Sequence, residues 1–386
     1  MMEWIEKRLG DIGDVVGGAT PSTKHEEYYG GKIAWITPKD LSSFKGRYIL
    51  SGERNITEAG LDSCSAQMLP PNTVLFTSRA PIGYIAIAKQ SVCTNQGFKS
   101  IVPHECVDSL FLYYLLKFNK DRIEAMGSGT TFKEVSRKTM REVQVRIPRL
   151  VNDQKKISCI LNSIDSKIEN NTKINDNLQQ QAAALFANFY DQAETEVGFT
   201  EMIQILGGGT PKTGESSYWN GDIPFFTPKD VGFPYTLTTE KTITEEGLAH
   251  CNSRLYPINT VFVTARGTVG KVGLPGVPMA MNQSCYALVG KDTHQLLVYF
   301  YTLKAVDRLK HKASGAVFDA ITTRDFEAEN IMKLSDDDTK AFLDVAEPIY
   351  QAVLNNSIEN LRLSELRDSL LPKLMNGEID VTDIRL

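Results

Sequence analysis

Ile36-Thr37-Pro38-Lys39-Asp40 returns 190 residues later as Phe226-Thr227-Pro228-Lys229-Asp230. Upstream, Thr20-Pro21 and Tyr29-Gly30-Gly31 return at the same offset as Thr210-Pro211 and Trp219-Asn220-Gly221. Downstream, Ile56-Thr57-Glu58-Ala59-Gly60-Leu61 matches Ile243-Thr244-Glu245-Glu246-Gly247-Leu248, and Asn72-Thr73-Val74 with Thr77, Arg79 and Gly83 matches Asn259-Thr260-Val261 with Thr264, Arg266 and Gly270. There the offset has become 187, as it is for Asn95-Gln96 against Asn282-Gln283. So small a drift over so long a stretch marks two homologous domains with short loop deletions, and the period is too long for a solenoid. Two copies of one fold in one chain suggest a molecule that grips two similar objects.

The 386 residues, 42% of them apolar, give each copy enough material for its own core. The chain has no apolar run of membrane-spanning length, and its start, Met-Met-Glu-Trp-Ile-Glu-Lys-Arg, lacks the apolar stretch of a secretory signal. The expectation is a cytoplasmic protein. The six cysteines form no Cys-x-x-Cys pair, and His104-x-Cys106 and His250-Cys251 have no partners at ligand spacing, so no metal site is expected.

A net charge of −5 argues at first against a polyanionic partner, but the charge is unevenly placed. Residues 1–150 carry a net +4 and residues 336–386 a net −6. Lys133, Arg137, Lys138, Arg141, Arg146 and Arg149 crowd the end of the first copy. They form either a patch for a polyanion or a solvated helix end.

Each copy runs into a segment with apolar residues at helical spacing. In the first these are Ile157, Ile160, Ile164, Ile174, Leu178 and Leu185; in the second, Phe342, Val345, Ile349, Ala352, Leu363, Leu366 and Leu370. Pro348 is expected to kink or restart the second helix. Asn170-Asn171 and Asn355-Asn356 fall in the two stripes, and a polar residue in a buried seam fixes register at a cost in stability. If the helices run antiparallel about a pseudo-twofold axis, Asn171 and Asn356 should meet near its centre. At about 1.5 Å per residue such helices would span roughly 50–60 Å, about one and a half turns of duplex DNA. They read either as a ruler or as a plain linker.

No motif supplies catalytic chemistry. Gly207-Gly208-Gly209-Thr210-Pro211-Lys212-Thr213-Gly214-Glu215-Ser216 approximates a phosphate loop, but Glu215 stands where the loop needs its lysine. The counterpart Gly17-Gly18-Ala19-Thr20-Pro21 reads as a structural turn. The double proline in Leu69-Pro70-Pro71-Asn72 lacks the flanking groups of an amino-methyltransferase motif, and no Ser, His and acid recur together in both copies.

The residues that do recur suit DNA: Thr20/Thr210, Lys39/Lys229, Thr77/Thr264, Arg79/Arg266 and Gln96/Gln283. Hydroxyls and lysines position phosphates, while Arg and Gln make bidentate contacts to base edges. Recurrence also has a structural reading, in which Asp40/Asp230 and Arg79/Arg266 are internal ion pairs. The loop Gly127-Ser128-Gly129-Thr130-Thr131-Phe132-Lys133 keeps its frame in Ala313-Ser314-Gly315-Ala316-Val317-Phe318-Asp319 while its polar tips change, as a reader of two different sequences would require.

Thr-Pro, Thr-Pro-Lys-Asp, Arg-x-x-x-Gly, Asn-Gln and Ser-Gly-x-x-Phe, in that order, twice, and each time followed by a long helix, resemble the DNA-specificity subunits of Type I restriction-modification systems over essentially the whole chain. The resemblance implies an α+β fold of two target-recognition domains, residues 1–150 and 193–335, with helical spacers at 151–192 and 336–386 that pair as an antiparallel coiled coil. It implies a non-catalytic chain. Each domain reads half of a bipartite site in double-stranded DNA, through Thr20, Lys39, Arg79, Gln96, Thr131, Lys133 and Arg137 in the first and Thr210, Lys229, Arg266 and Gln283 in the second. Ile157, Ile164, Asn171, Leu178, Leu185, Ile349, Asn356, Leu363 and Leu370 would pair the helices and receive two methyltransferase subunits, joined in the endonuclease by two restriction subunits. S-adenosylmethionine, and ATP with Mg, would belong to those partners, with no cofactor in this chain. A scaffold that binds only proteins is the competing reading, and salt sensitivity separates the two.

Overall fold

The structure, a computed structural model, describes residues 2–129, 133–232, 234–312 and 320–384. The chain forms two compact units, Met1–Glu169 with Leu363–Leu386, and Asn170–Arg362. Each contains the same sheets. In the first, a five-stranded sheet has the order Gly13–Gly17, Lys99–Pro103, Val74–Ser78, Ile82–Ala88, Tyr48–Ile49. In the second the order is Ile203–Gly207, Cys285–Gly290, Val261–Thr264, Val272–Pro275, Tyr235–Thr236. Three of these junctions are antiparallel, and the short fifth strand joins parallel in both units. The central strands, Val-Leu-Phe-Thr-Ser and Val-Phe-Val-Thr, are buried at every residue, which is why they read as continuous apolar runs without alternation.

Most of the recurring words are backbone hardware. Asn72 and Asn259 adopt φ of 69° and 68°, and the neighbouring Thr73 and Thr260 hydroxyls donate to Pro70 and Pro257 carbonyls at 2.7 and 2.8 Å, closing identical turns. Thr57 and Thr244 cap short helices by accepting from Gly60 and Gly247 N–H at 3.1 and 3.0 Å. A Cβ on Gly18 or Gly208 would lie 2.1 Å from the carbonyl oxygen of Asn95 or Asn282, so only glycine lets these chains approach. The glycine-rich loops are therefore structural turns.

The long helices are Val151–Gln192 and Asp336–Met375. The C-terminal helix runs unbroken through Pro348, so of the expected kink or restart the restart does not occur. Pro348 and Asp344, whose carbonyl loses its intrahelical partner there, are both exposed, so the proline sits on the solvent-facing side of the helix. Within the second unit the helices are antiparallel: Asn171 Nδ2 donates to Asn360 Oδ1 at 2.9 Å and to Glu359 Oε2 at 2.7 Å, and Asn356 Nδ2 donates to Asn175 Oδ1 at 2.8 Å. Asn171 and Asn356 thus do not bond each other. A local twofold passes between Asn171 and Asn175 on one helix and between Asn356 and Asn360 on the other, so each asparagine meets a residue one turn past the expected one.

The apolar stripe also departs from its reading. Ile157 and Ile164 are buried and Leu178, Leu185, Ile349, Leu363 and Leu370 are partly covered, but Ile174, Val345 and Leu366 are 49%, 49% and 47% exposed. The deeply buried positions are Leu161, Ala182, Phe186, Phe342, Ala346, Tyr350, Val353 and Leu374. The helix ends pack into the cores of the two units as well as against the other helix, as Asp165 does on Arg367 and Phe186 on Phe342, so the buried face is not one uniform heptad seam. Among the described residues no helix is long and apolar enough to cross a membrane.

The two units anchor the helices by different chemistry. In the first, buried Arg47 donates to Asn162 O (3.1 Å), Ser166 Oγ (2.9 Å) and Glu169 Oε2 (3.2 Å), while Asp165 accepts from Tyr114 (2.7 Å) and Arg367 (2.8 Å). Burial pushes the Tyr114 hydroxyl far above its usual range, so it remains a proton donor to Asp165. In the second, Phe186, Phe300, Phe342, Tyr299 and Tyr350 form an aromatic cluster with centroids 4.9–5.6 Å apart, Phe186 stacked on Phe300 and the other pairs edge-to-face. Asp165→Ala is expected to destabilise the first unit by about 3 kcal/mol, because it strands buried cations. Urea unfolding measures this, and a loss under about 1 kcal/mol would mean that Glu169 alone suffices for Arg47.

Candidate nucleic-acid interface

The interface is built from Thr-Pro-Lys-Asp outward. Asp40 accepts from Thr37 N–H (2.7 Å), the Thr37 hydroxyl (2.6 Å) and Glu53 N–H (2.7 Å); Asp230 does the same with Thr227 N–H (2.8 Å), the Thr227 hydroxyl (2.6 Å) and Glu240 N–H (2.8 Å). The motif is thus a capping turn with proline at its first position, and the reading of Asp40 and Asp230 as ion-pair partners of Arg79 and Arg266 is wrong. The carboxylate is consumed by three donors, and the turn leaves Lys39 and Lys229 exposed beside it. Glu53 bonds Lys39 at 2.7 Å and holds its ammonium above its usual range.

Thr77 and Thr264 are fully buried and do not face a ligand. Each accepts from a backbone N–H across the next turn, Tyr84 at 2.8 Å and Lys271 at 2.9 Å, and so shapes the loop that carries Arg79 or Arg266. The Thr20 hydroxyl donates to Gln96 Oε1, and Thr210 to Gln283 Oε1. Both glutamines are exposed, on turns tied by Asn95 and Asn282, whose side-chain oxygens accept from Gly97 and Ser284 N–H at 2.9 and 3.0 Å.

In the second unit Thr227, Lys229, Lys241, Arg266, Thr268, Asn282 and Ser284 line one depression of about 450 Å³, placing Lys229 beside Arg266. In the first, Arg79 lies 3.5 Å from Glu134, which also bonds Lys99 at 3.0 Å. Sequence reasoning missed Glu134 and Lys99, which do not recur, and also Glu53 and Glu240, which recur at the 187 offset three residues before Ile56 and Ile243, a signal that could have found them.

The basic stretch is partly dispersed. Arg149 pairs with Glu3 at 2.8 Å and Arg146 lies over the Trp4 ring, 5.8 Å from its centroid, whereas Arg137, Lys138 and Arg141 line a surface depression with Arg8. Lys133 and Arg137 are exposed, Arg137 at the start of a short helix capped by Ser136. Thr131 and most of the Ser-Gly-x-x-Phe loops lie outside the described residues. Burial pushes the Cys93 and Cys285 thiols up to about 12, so neither is a thiolate nucleophile at neutral pH.

Residues 1–180 and 195–333 match the family model described as the Type I restriction modification DNA specificity domain, and the chain belongs to that family. The MjaIX Type I restriction enzyme specificity subunit of Methanocaldococcus jannaschii is 31% identical over 99% of this chain and 95% of its own length. The HindI specificity subunit of Haemophilus influenzae is 25% identical over 70% of this chain and 77% of its own. Among solved structures, the Type I restriction-modification S subunit from M. genitalium superposes with a TM-score of 0.63 at 15% identity, covering 97% of this chain and 96% of that one, a likeness of fold.

The geometry separates turn-closing carboxylates from exposed lysines. Asp40→Ala or Asp230→Ala is expected to cost its unit about 1–2 kcal/mol through loss of the cap. Lys39→Ala should leave the melting midpoint unchanged. A thermal scan in which Lys39→Ala destabilised more than Asp40→Ala would reverse these assignments.

Proposed function

We propose that this chain is the DNA-reading, non-catalytic subunit of an adenine-methylating Type I modification assembly, with each unit holding one half of a bipartite duplex target. One observation carries the reading: a chain of the DNA-specificity family builds the same surface set twice, exposed Lys39 and Gln96 with partly exposed Arg79 in one unit and exposed Lys229, Arg266 and Gln283 in the other. Lysine on a capped turn supplies a phosphate contact, while arginine and glutamine have the fork geometry to read guanine and adenine edges. The long helices, each roughly 60 Å if straight, set the gap between half-sites and receive two methyltransferase subunits. S-adenosylmethionine sits on those partners. In a complete restriction enzyme two ATP- and Mg-dependent restriction subunits join them, and the assembly works in the cytoplasm.

A base-resolution map of adenine methylation, with the gene intact and deleted, tests this. The expected result is loss of one bipartite motif with a fixed gap. An unchanged map, with the gene and its partners expressed, would favour the protein-scaffold reading. Separately, Lys133→Ala should weaken binding to all duplexes alike and lower the slope of log affinity against log salt by about 0.9; an altered site at undiminished affinity would contradict a phosphate contact.

A further inference from the structure

The two units present the same arginine on different supports. In the first unit, Lys99 Nζ donates to Ser78 Oγ at 3.3 Å and to Glu134 Oε1 at 3.0 Å, and the other oxygen of Glu134 lies 3.5 Å from Arg79 Nη1. Ser78 is fully buried and Lys99 is 12% exposed, whereas Glu134 and Arg79 are each about one-third exposed, so the carboxylate stands beside Arg79 at the surface on a buried base of Ser78 and Lys99.

Hydrogen-bond register gives the counterparts without ambiguity. Lys99 pairs with Gly17 as Tyr286 pairs with Gly207. Ser78 N–H donates to Gly97 O and Ala265 N–H to Ser284 O, and Val135 N–H donates to Ser78 O as Ile321 N–H does to Ala265 O. Glu134 therefore corresponds to Ala320, which is bridged to Arg266. Ser78, Lys99 and Glu134 in the first unit become Ala265, Tyr286 and Ala320 in the second.

The substitution conserves charge. Arg79, Lys99 and Glu134 sum to +1, the charge of Arg266 alone, so attraction to phosphates is similar at the two places. What differs is aim. A guanidinium with one side on a carboxylate has its plane and its free N–H groups oriented, whereas Ala320 offers Arg266 no carboxylate. We propose that Ser78, Lys99 and Glu134 are specificity-determining positioning residues: they orient Arg79 toward a base edge, and their replacement by Ala265, Tyr286 and Ala320 makes one scaffold read two different half-sites. This rests on the DNA-reading function proposed above.

The test is the methylation map of cells expressing the full chain with its partner subunits, as wild type, E134Q, or the swap S78A/K99Y/E134A. E134Q keeps the side-chain shape and the backbone bridge to Ser128. With E134Q, one half of the motif should become degenerate at one or more positions and the other half stay intact. Discrimination by the purified assembly at those positions should fall about tenfold. With one negative charge removed beside the DNA, the salt slope should steepen by about 0.9. The swap should shift the same half toward new bases. Wild-type stringency in both halves for both variants overturns the proposal. Should a variant abolish methylation, its binding to duplexes with single-base changes decides, and unchanged ratios overturn the proposal. If deleting the wild-type gene leaves the map unchanged, the DNA-reading function itself fails, independently of this cluster.

Discussion

A single carboxylate accepting three hydrogen bonds organises each recognition surface. Asp40 and Asp230 each close a threonine-capped turn and hold the N–H of the segment that supplies Glu53 or Glu240. Without that junction the exposed lysine would lie on an unpinned loop. With it, the cation is presented at the surface by backbone whose polar groups are satisfied internally, and in the first unit Glu53, carried by the pinned segment, bonds the Lys39 ammonium. The same economy recurs at Thr77 and Thr264, buried hydroxyls that serve the arginine loops from beneath.

Duplication made the fold legible in the sequence. The recurring words locate turns, caps and close approaches, features that backbone geometry enforces identically in both copies, so their repetition is a structural signal. The same fact limited the view of the site. Lys39, Arg79 and Gln96 stood out by repeating, but so did Thr77 and Asp40, which are framework. Glu134 and Lys99 were invisible, because a residue that differentiates the copies cannot be found by looking for what they share. Aligning the copies by strand register and reading their differences is the signal that would have found them.

The helices were legible in extent and direction but not in detail. Periodicity identified two long helices, and the paired asparagines marked a polar crossing. Heptad counting then failed because each helix changes environment along its length. Ile157 and Leu161 lie in the core of the first unit, Phe186 lies in an aromatic cluster of the second, and only the stretch around Asn171 and Asn175 faces a helix alone. A rule written for one continuous seam places Ile174, Val345 and Leu366 inside, where the structure leaves them about half exposed.

The first unit is discontinuous: Leu371, Leu374, Met375 and Val381, from the far end of the sequence, complete a core that begins with Leu9 and Ile12. During synthesis the order of completion is therefore reversed. The second unit, all of it between Asn170 and Arg362, has its whole sequence available while the first still lacks its last helical turns. A lesion in the codons for residues 371–381 would thus strike the earlier of the two domains, and the ribosome must pass residue 381 before the core of the domain it made first can be completed.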